Sequence, residues 1–284
     1  NATDVPATGS GFIVYVFEDD DPLTAGIQGG FPKTVLTDSS QNEGATSASI
    51  TYTDTGAPSS DGFNLVGNPY GTTIDWDATS GWTRTGLDAS FYVWSDSANG
   101  GAGAYLSWNG ITGTQGDGKI APWQGFWVKA NAENPTLSFT DQIRSSGGVF
   151  LKKKPTSTLS LTLKGNDQLS STIVSFQDKA SILKDRYDTY KLKSLNGEYL
   201  SLFTQLNDGT GLDINALPIE LEVVSVPLGF EGSDLSGIFE LSWSPKNLPT
   251  EMTITLADTK TGEEIDLREA SSYSFRIENL TKEL

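Results

Sequence analysis

The stretch Leu159-Ser-Leu-Thr-Leu-Lys164, "LSLTLK", decides the fold. Its apolar residues fall at every second position, and only an extended strand sends alternate side chains to opposite faces. Leu159, Leu161 and Leu163 are therefore expected to face a core while Ser160, Thr162 and Lys164 face water. The same period recurs at Met252, Ile254 and Leu256 and at Tyr273, Phe275 and Ile277. Between those last two runs, Asp258 and Gly262 bracket a short turn, which predicts a hairpin that resumes its inward face at Ile265 and Leu267. Further strands fit residues 190–195, 198–204, 221–228 and 238–243, and only residues 180–186 read as a helical turn. So many short alternating runs predict an all-β chain of β-sandwich or jelly-roll type.

The first half reads the same way with more aromatics. Residues 12–17, "FIVYVF", are apolar on both faces, as expected of a central strand covered on both sides. In residues 62–76, "GFNLVGNPYGTTIDW", Phe63 to Val66 predicts a strand. Gly67-Asn-Pro-Tyr70 predicts a turn in which Gly or Asn takes positive φ, and Thr72 to Trp76 the returning chain. Asn68 and Asp75 are suited to satisfying backbone groups at that corner.

Between the halves, residues 145–155, "SSGGVFLKKKP", combine a Gly pair, three Lys and a Pro and read as a linker. The expected organisation is two consecutive sandwich or jelly-roll-like domains, an aromatic-rich acidic one over 1–148 and a second over 156–284. The charge balance shifts at the same place. Residues 1–150 hold 5 basic and 16 acidic side chains, against 14 and 20 in residues 151–284.

Composition removes whole classes of chemistry. With no Cys and no His, the chain cannot assemble a Ser-His-Asp triad, a thiol nucleophile or a Cys/His zinc site. A formal net charge of −17 opposes nucleic-acid binding, which depends on neutralising phosphates. No run approaches the roughly 18 apolar residues of a membrane helix, so no membrane span is expected. Freedom from Cys suits a secreted bacterial β protein built without disulfides. The first residues, Asn1-Ala-Thr-Asp4, carry no basic and apolar leader, so any export signal is expected to have been removed or to lie outside the chain.

Three sets of residues are candidates for a site. Glu18, Asp19, Asp20 and Asp21 follow a predicted strand and precede Pro22, and oxygen ligands on such a loop would suit Ca²⁺. The spacing does not match an EF-hand, and a solvated acidic turn is the simpler reading. Six of the seven Trp lie between Trp76 and Trp127. Indoles stack on the apolar faces of sugar rings, which makes Trp82, Trp108 and Trp123 candidates for a glycan platform, with core packing as the competing explanation. Asp75 and Asp77 flank Trp76, and paired carboxylates are the minimum for glycoside hydrolysis, but nothing around them marks an acid and a base. The chain is accordingly expected not to be an enzyme.

A resemblance adds to this reading. The phrases "GFIVYVFEDDD", "GFNLVGNPYGTTIDWD", "IAPWQGFWVKA", "LSFTDQIRSSGGVFLKK", "YDTYKLKSLNGEYLSLFT" and "ITLADTKTGEEIDL" resemble the region ahead of the sorting domain in large surface and secreted proteins of Bacteroidetes-type bacteria. The resemblance implies export by the type IX secretion system and a place outside the cell or on its outer surface. Two expectations follow. The first is a non-catalytic cell-surface or adhesion region of a larger exported protein, structural or binding other surface proteins. The second is a carbohydrate-binding accessory region of a polysaccharide-degrading enzyme, binding extracellular glycans with calcium as a candidate cofactor.

Overall fold

The computed structural model describes residues 7–13, 42–145, 157–219, 223–233 and 235–278. The chain is all-β, and its only helical segments among the described residues are two single 3₁₀ turns at Asn99–Gly101 and Asp141–Ile143. No helix is long and apolar enough to cross a membrane among the described residues.

In the first half, nine strands run β1 (Thr46–Ala48), β2 (Phe63–Gly67), β3 (Ile74–Asp75), β4 (Trp82–Thr85), β5 (Leu87–Ser95), β6 (Ala104–Trp108), β7 (Lys119–Ile120), β8 (Gly125–Ala130) and β9 (Thr136–Phe139). They form a four-stranded sheet in the order β2-β8-β5-β6, a three-stranded sheet β1-β9-β4 and the pair β3-β7. One hydrophobic cluster draws on the inner faces of both larger sheets, joining Val66, Phe91, Phe126 and Val128 to Ala48, Leu137 and Phe139. At its centre Trp76, 1% exposed, meets the rings of Trp82, Phe91 and Phe126 at 5.0, 5.5 and 6.1 Å between centroids. Its indole N–H is satisfied by the Ala89 carbonyl at 2.6 Å.

The second half contains β10 (Ser157–Gly165), β11 (Gln168–Phe176), β12 (Thr189–Tyr190), β13 (Leu200–Gln205), β14 (Gly211–Leu217), β15 (Leu228–Gly232), β16 (Gly237–Lys246), β17 (Thr255–Ala257), β18 (Glu264–Asp266) and β19 (Ser272–Ile277). Eight of these make one sheet in the order β15-β13-β14-β11-β10-β16-β19, with β12 added on β14. The β11–β14 pair is parallel, and the other paired strands described are antiparallel. Leu159, Leu161 and Leu163 are buried as their alternation predicts, opposite Pro245, Trp243 and Leu241 of β16. The hairpin closes with Asp258 N–H donating to Glu263 O at 2.9 Å and Gly262 at φ 78°, and it lays Leu256 and Ile265 against the second cluster.

Several expectations differ from what is observed. Residues 180–186 form bends and a turn rather than a helical turn, held by Asp185 accepting the Ser181 N–H at 2.7 Å. An Asp that accepts backbone N–H groups through its side chain competes with the helical bonding pattern. The strand expected over 190–195 ends at Tyr190, and of the one expected over 221–228, residues 221 and 222 lie outside the described residues, 223–227 are not in a strand and Leu228 opens β15. Phe12 and Ile13 are not in a strand and are 65% and 50% exposed, while residues 14–17 lie outside the described residues. At the corner after β2, neither Gly67 nor Asn68 takes positive φ; it is Gly62, immediately before β2, that stands at φ 74°. There the Ala130 carbonyl packs where a Cβ would stand, so both the backbone and the space demand glycine. The expected linker lies outside the described residues from 146 to 155.

The halves meet through buried polar groups. The Asn99 side chain, on the first 3₁₀ turn, accepts the Leu169 N–H at 2.9 Å and donates to Leu200 O at 3.2 Å. Asn109 donates to Tyr187 O at 2.7 Å, and Thr114 donates to Asp213 at 3.0 Å. Ser107 also donates to Asp213, whose other oxygen is paired with Lys191 at 2.7 Å.

Candidate functional site

A cleft of about 510 Å³ opens where the two halves meet. Its walls come from the loop after β3 (Trp76 to Ser80), from β4 (Trp82 and Arg84), from the start of β5 (Asp88), from the loop after β6 (Asn109 to Ile111), and from Arg186 and Tyr187 of the second half.

Each of these side chains is fixed by the local fold. Asp75 ends β3, and its carboxylate accepts the Asp77 N–H at 3.0 Å, turning the chain through Trp76 so that Asp77 faces the cleft. Asp77 then accepts the Trp108 indole N–H at 3.1 Å. Gly118 makes room for it, since a Cβ there would stand 2.6 Å from an Asp77 oxygen. Arg84 sits over Trp76, its guanidinium carbon 4.4 Å from the ring centroid and 5.4 Å from that of Trp82. It donates to Trp76 O at 3.0 Å. Partial desolvation lowers the Arg84 pKa, opposed by the nearby charge of Asp77 and reinforced by that of Arg186; the group stays cationic. Asn109 spends its oxygen on the N–H groups of Ile111 and Thr112 and its amide on Tyr187, so it shapes the wall and joins the halves.

Asp88 is the unusual member. It is 4% exposed, and one oxygen accepts from Asn131 at 2.8 Å while the other has no hydrogen-bond partner. The nearest cation to that second oxygen, Lys184, stands at 3.7 Å, an ion pair too long for a hydrogen bond. Asp88 also lines a smaller cavity of about 150 Å³ together with Asp61, Lys129, Lys184 and Tyr190. There Lys129 is buried, faces the rings of Phe63 and Tyr190 at 5.1 Å each, and has its pKa lowered by burial.

The residues singled out from the sequence are dispersed. Trp82 is half-buried, lines the cleft and donates to Asp75 O at 2.8 Å. Trp108 is 7% exposed and stands behind Asp77. Trp123 is 65% exposed at φ 53° and does not line the cleft. Asp75 faces Lys119 at 2.7 Å, so the two carboxylates beside Trp76 are committed to different partners. Glu18, Asp19, Asp20 and Asp21 lie outside the described residues, and no group of three or more potential metal ligands occurs among the described ones. Arg84, Asp88, Arg186 and Tyr187 were not legible as site residues. The one available signal was the scarcity of cations in residues 1–150, where Arg84 is one of five.

No curated protein and no solved structure matches the chain. A family model described as a domain of unknown function, DUF8693, matches residues 3–283, and the chain belongs to that family.

Proposed function

We propose that this chain is a non-catalytic extracellular module of a larger exported protein, serving as a stiff structural and partner-binding body. The observation that supports this reading is the buried polar seam between the halves, above all Asp213, which takes donors from Ser107 and Thr114 on one side and Lys191 on the other. A buried carboxylate is tolerated only where its partners stay in place, so such a seam opposes hinge motion and suits a spacer that transmits position. Calorimetry tests it: one unfolding transition for both halves is expected, and two transitions at separate temperatures overturn the stiff-body reading. Release of reducing ends from a polysaccharide panel, lost on substituting Asp77 or Asp88, overturns the non-catalytic part.

The cleft favours a second reading, that of a carbohydrate-binding accessory region beside a polysaccharide-degrading enzyme. Its half-buried indole, fixed guanidinium and acceptor carboxylate are the groups that hold a polar ring with apolar faces. A glycan array, read with Trp fluorescence, separates the two readings.

A further inference from the structure

The structure assigns Asn196-Gly197 as a site of spontaneous chemical modification, at which the chain loses a side-chain amide and, with it, a contact between its two halves.

The chain contains three Asn-Gly pairs, Asn99-Gly100, Asn109-Gly110 and Asn196-Gly197. In all three the asparagine amide crosses the seam, Asn99 donating to Leu200 O, Asn109 to Tyr187 O and Asn196 to Ala102 O. Asn before Gly is open to one reaction in particular, because glycine has no Cβ to hold its nitrogen away from the asparagine side chain. That nitrogen attacks the side-chain carbonyl carbon Cγ. The amide NH₂ leaves as ammonia with the proton of the attacking nitrogen, and the succinimide so formed takes up one solvent water to give aspartate or isoaspartate.

Local structure separates the three sites. Asn99 is 5% exposed, and its oxygen accepts the Leu169 N–H while its amide is held by Leu200. Asn109 is 1% exposed, accepts from Ile111 and Thr112 and donates to Tyr187. Turning either Cγ onto its glycine breaks buried hydrogen bonds. Asn196 is exposed, and the one hydrogen bond described for its side chain lies at the solvent edge of the seam.

The glycines divide the same way. Gly100 and Gly110 stand at φ 67° and 87°, and the Asp167 carbonyl packs where a Gly100 Cβ would be. Gly197 is not at positive φ, and open space surrounds its Cβ position. The fold makes no demand for glycine at 197, and what glycine supplies there is an unhindered nitrogen beside an exposed amide.

The loss has a structural consequence. Ser194 donates to Gly103 O at 3.3 Å and accepts the Asn196 N–H at 3.1 Å, so residues 194–196 clip residues 102–103 of the first half, just after the 3₁₀ turn that carries Asn99. The product carboxylate has no donor and faces the Ala102 carbonyl oxygen, and isoaspartate also lengthens the backbone by a methylene. The clip weakens, and the seam loosens at this edge as the molecule ages.

Holding the purified chain at mildly alkaline pH, with and without urea, and following the acid content of the three sites by peptide mapping in a mass spectrometer tests this. In the folded chain Asn196 should convert at least about tenfold faster than Asn99 and Asn109, which react only during local opening. In urea the three rates should converge. Gly197→Ala should keep the Asn196 amide through the same incubation without moving the melting temperature. Aged wild type and fresh Asn196→Asp should both exchange the amide hydrogens of residues 99–103 several-fold faster than fresh wild type, and aged Gly197→Ala should not. An Asn196 amide that persists in the folded chain while it is lost in urea, or three sites converting alike in the folded chain, overturns the assignment. Conversion at Asn196 that leaves exchange at residues 99–103 unchanged overturns the loosening of the seam.

Discussion

The hydroxyl of Tyr92, on β5 of the first half, accepts the backbone N–H of Tyr190, on β12 of the second, at 3.0 Å. Tyr92 is 1% exposed, and burial raises its pKa well above the ordinary phenol value, so the contact is a neutral hydrogen bond inside a buried seam. Tyr92→Phe keeps the ring and removes the acceptor, leaving the Tyr190 N–H buried and unsatisfied. We expect a loss of about 1–3 kcal/mol in urea unfolding, with both halves lost in the same transition. A loss confined to the first half would show that the seam does not couple them.

Asp213 makes a stronger prediction because it is charged. Its pair with Lys191 at 2.7 Å joins a buried carboxylate to a partly buried ammonium, and Lys191 also donates to Ser171 O at 2.7 Å. Lys191→Met leaves the carboxylate with hydroxyl donors alone, and a loss of about 3–5 kcal/mol is expected. Adding Asp213→Asn should recover part of that loss, since the stranded charge is then gone. A double-mutant cycle by chemical denaturation reads the coupling, and additive losses would show that the two charges act independently.

The period-two runs were legible because each has one wet face. Leu159, Leu161 and Leu163, like Phe239, Leu241 and Trp243, sit on strands whose other side is mostly polar, and burial follows the letters except at Ile238, which is apolar and exposed. The parallel β11–β14 pair left no such mark: pairing direction is set by the path of the chain between the strands, and Ile173 and Val174 are both buried, which blurs the alternation. The cleft was illegible for a related reason. Trp76 and Arg186 are far apart in sequence and meet only once the halves are docked. The Trp residues were visible, but whether an indole fills a core, as Trp76 does, or stands in solvent, as Trp123 does, depends on neighbours that no local pattern encodes.

The corner after β2 depends on Asn68. Its amide donates to Thr72 O at 2.9 Å and Ala121 O at 2.8 Å, while its oxygen accepts the Tyr70 N–H at 3.0 Å, and the residue is buried. Aspartate has the same shape but no donors, so Asn68→Asp sets a carboxylate against two carbonyl oxygens. The expected loss is on the order of 3 kcal/mol at neutral pH, shrinking in acid as the new carboxyl takes up a proton and regains one donor. Asn68→Ala should lose about 1–3 kcal/mol with no such pH dependence. Thermal melts of both variants at two pH values distinguish the charge effect from loss of the turn.

Asp188 carries the clearest pH dependence. It is buried beneath the loop that brings Arg186 and Tyr187 to the cleft, and burial raises its pKa from 3.8 to about 6 despite bonds from the N–H groups of Asp185 and Ala216, with the Asp185 charge adding and the Lys184 charge opposing. The folded protein therefore binds this proton more tightly than the unfolded chain does, and the ionised group lowers stability throughout the range above pH 6. As pH falls from about 6 towards 3.8, that penalty is relieved by up to about 3 kcal/mol. Asp188→Asn cannot titrate, and it turns an amide NH₂ towards one of the two backbone donors. Wild type should gain on the variant between pH 7 and pH 4 by an amount on the order of the linkage energy. Urea midpoints collected across that interval measure the gap, and a gap that stays constant means that Asp188 has an ordinary carboxylate pKa in the folded chain.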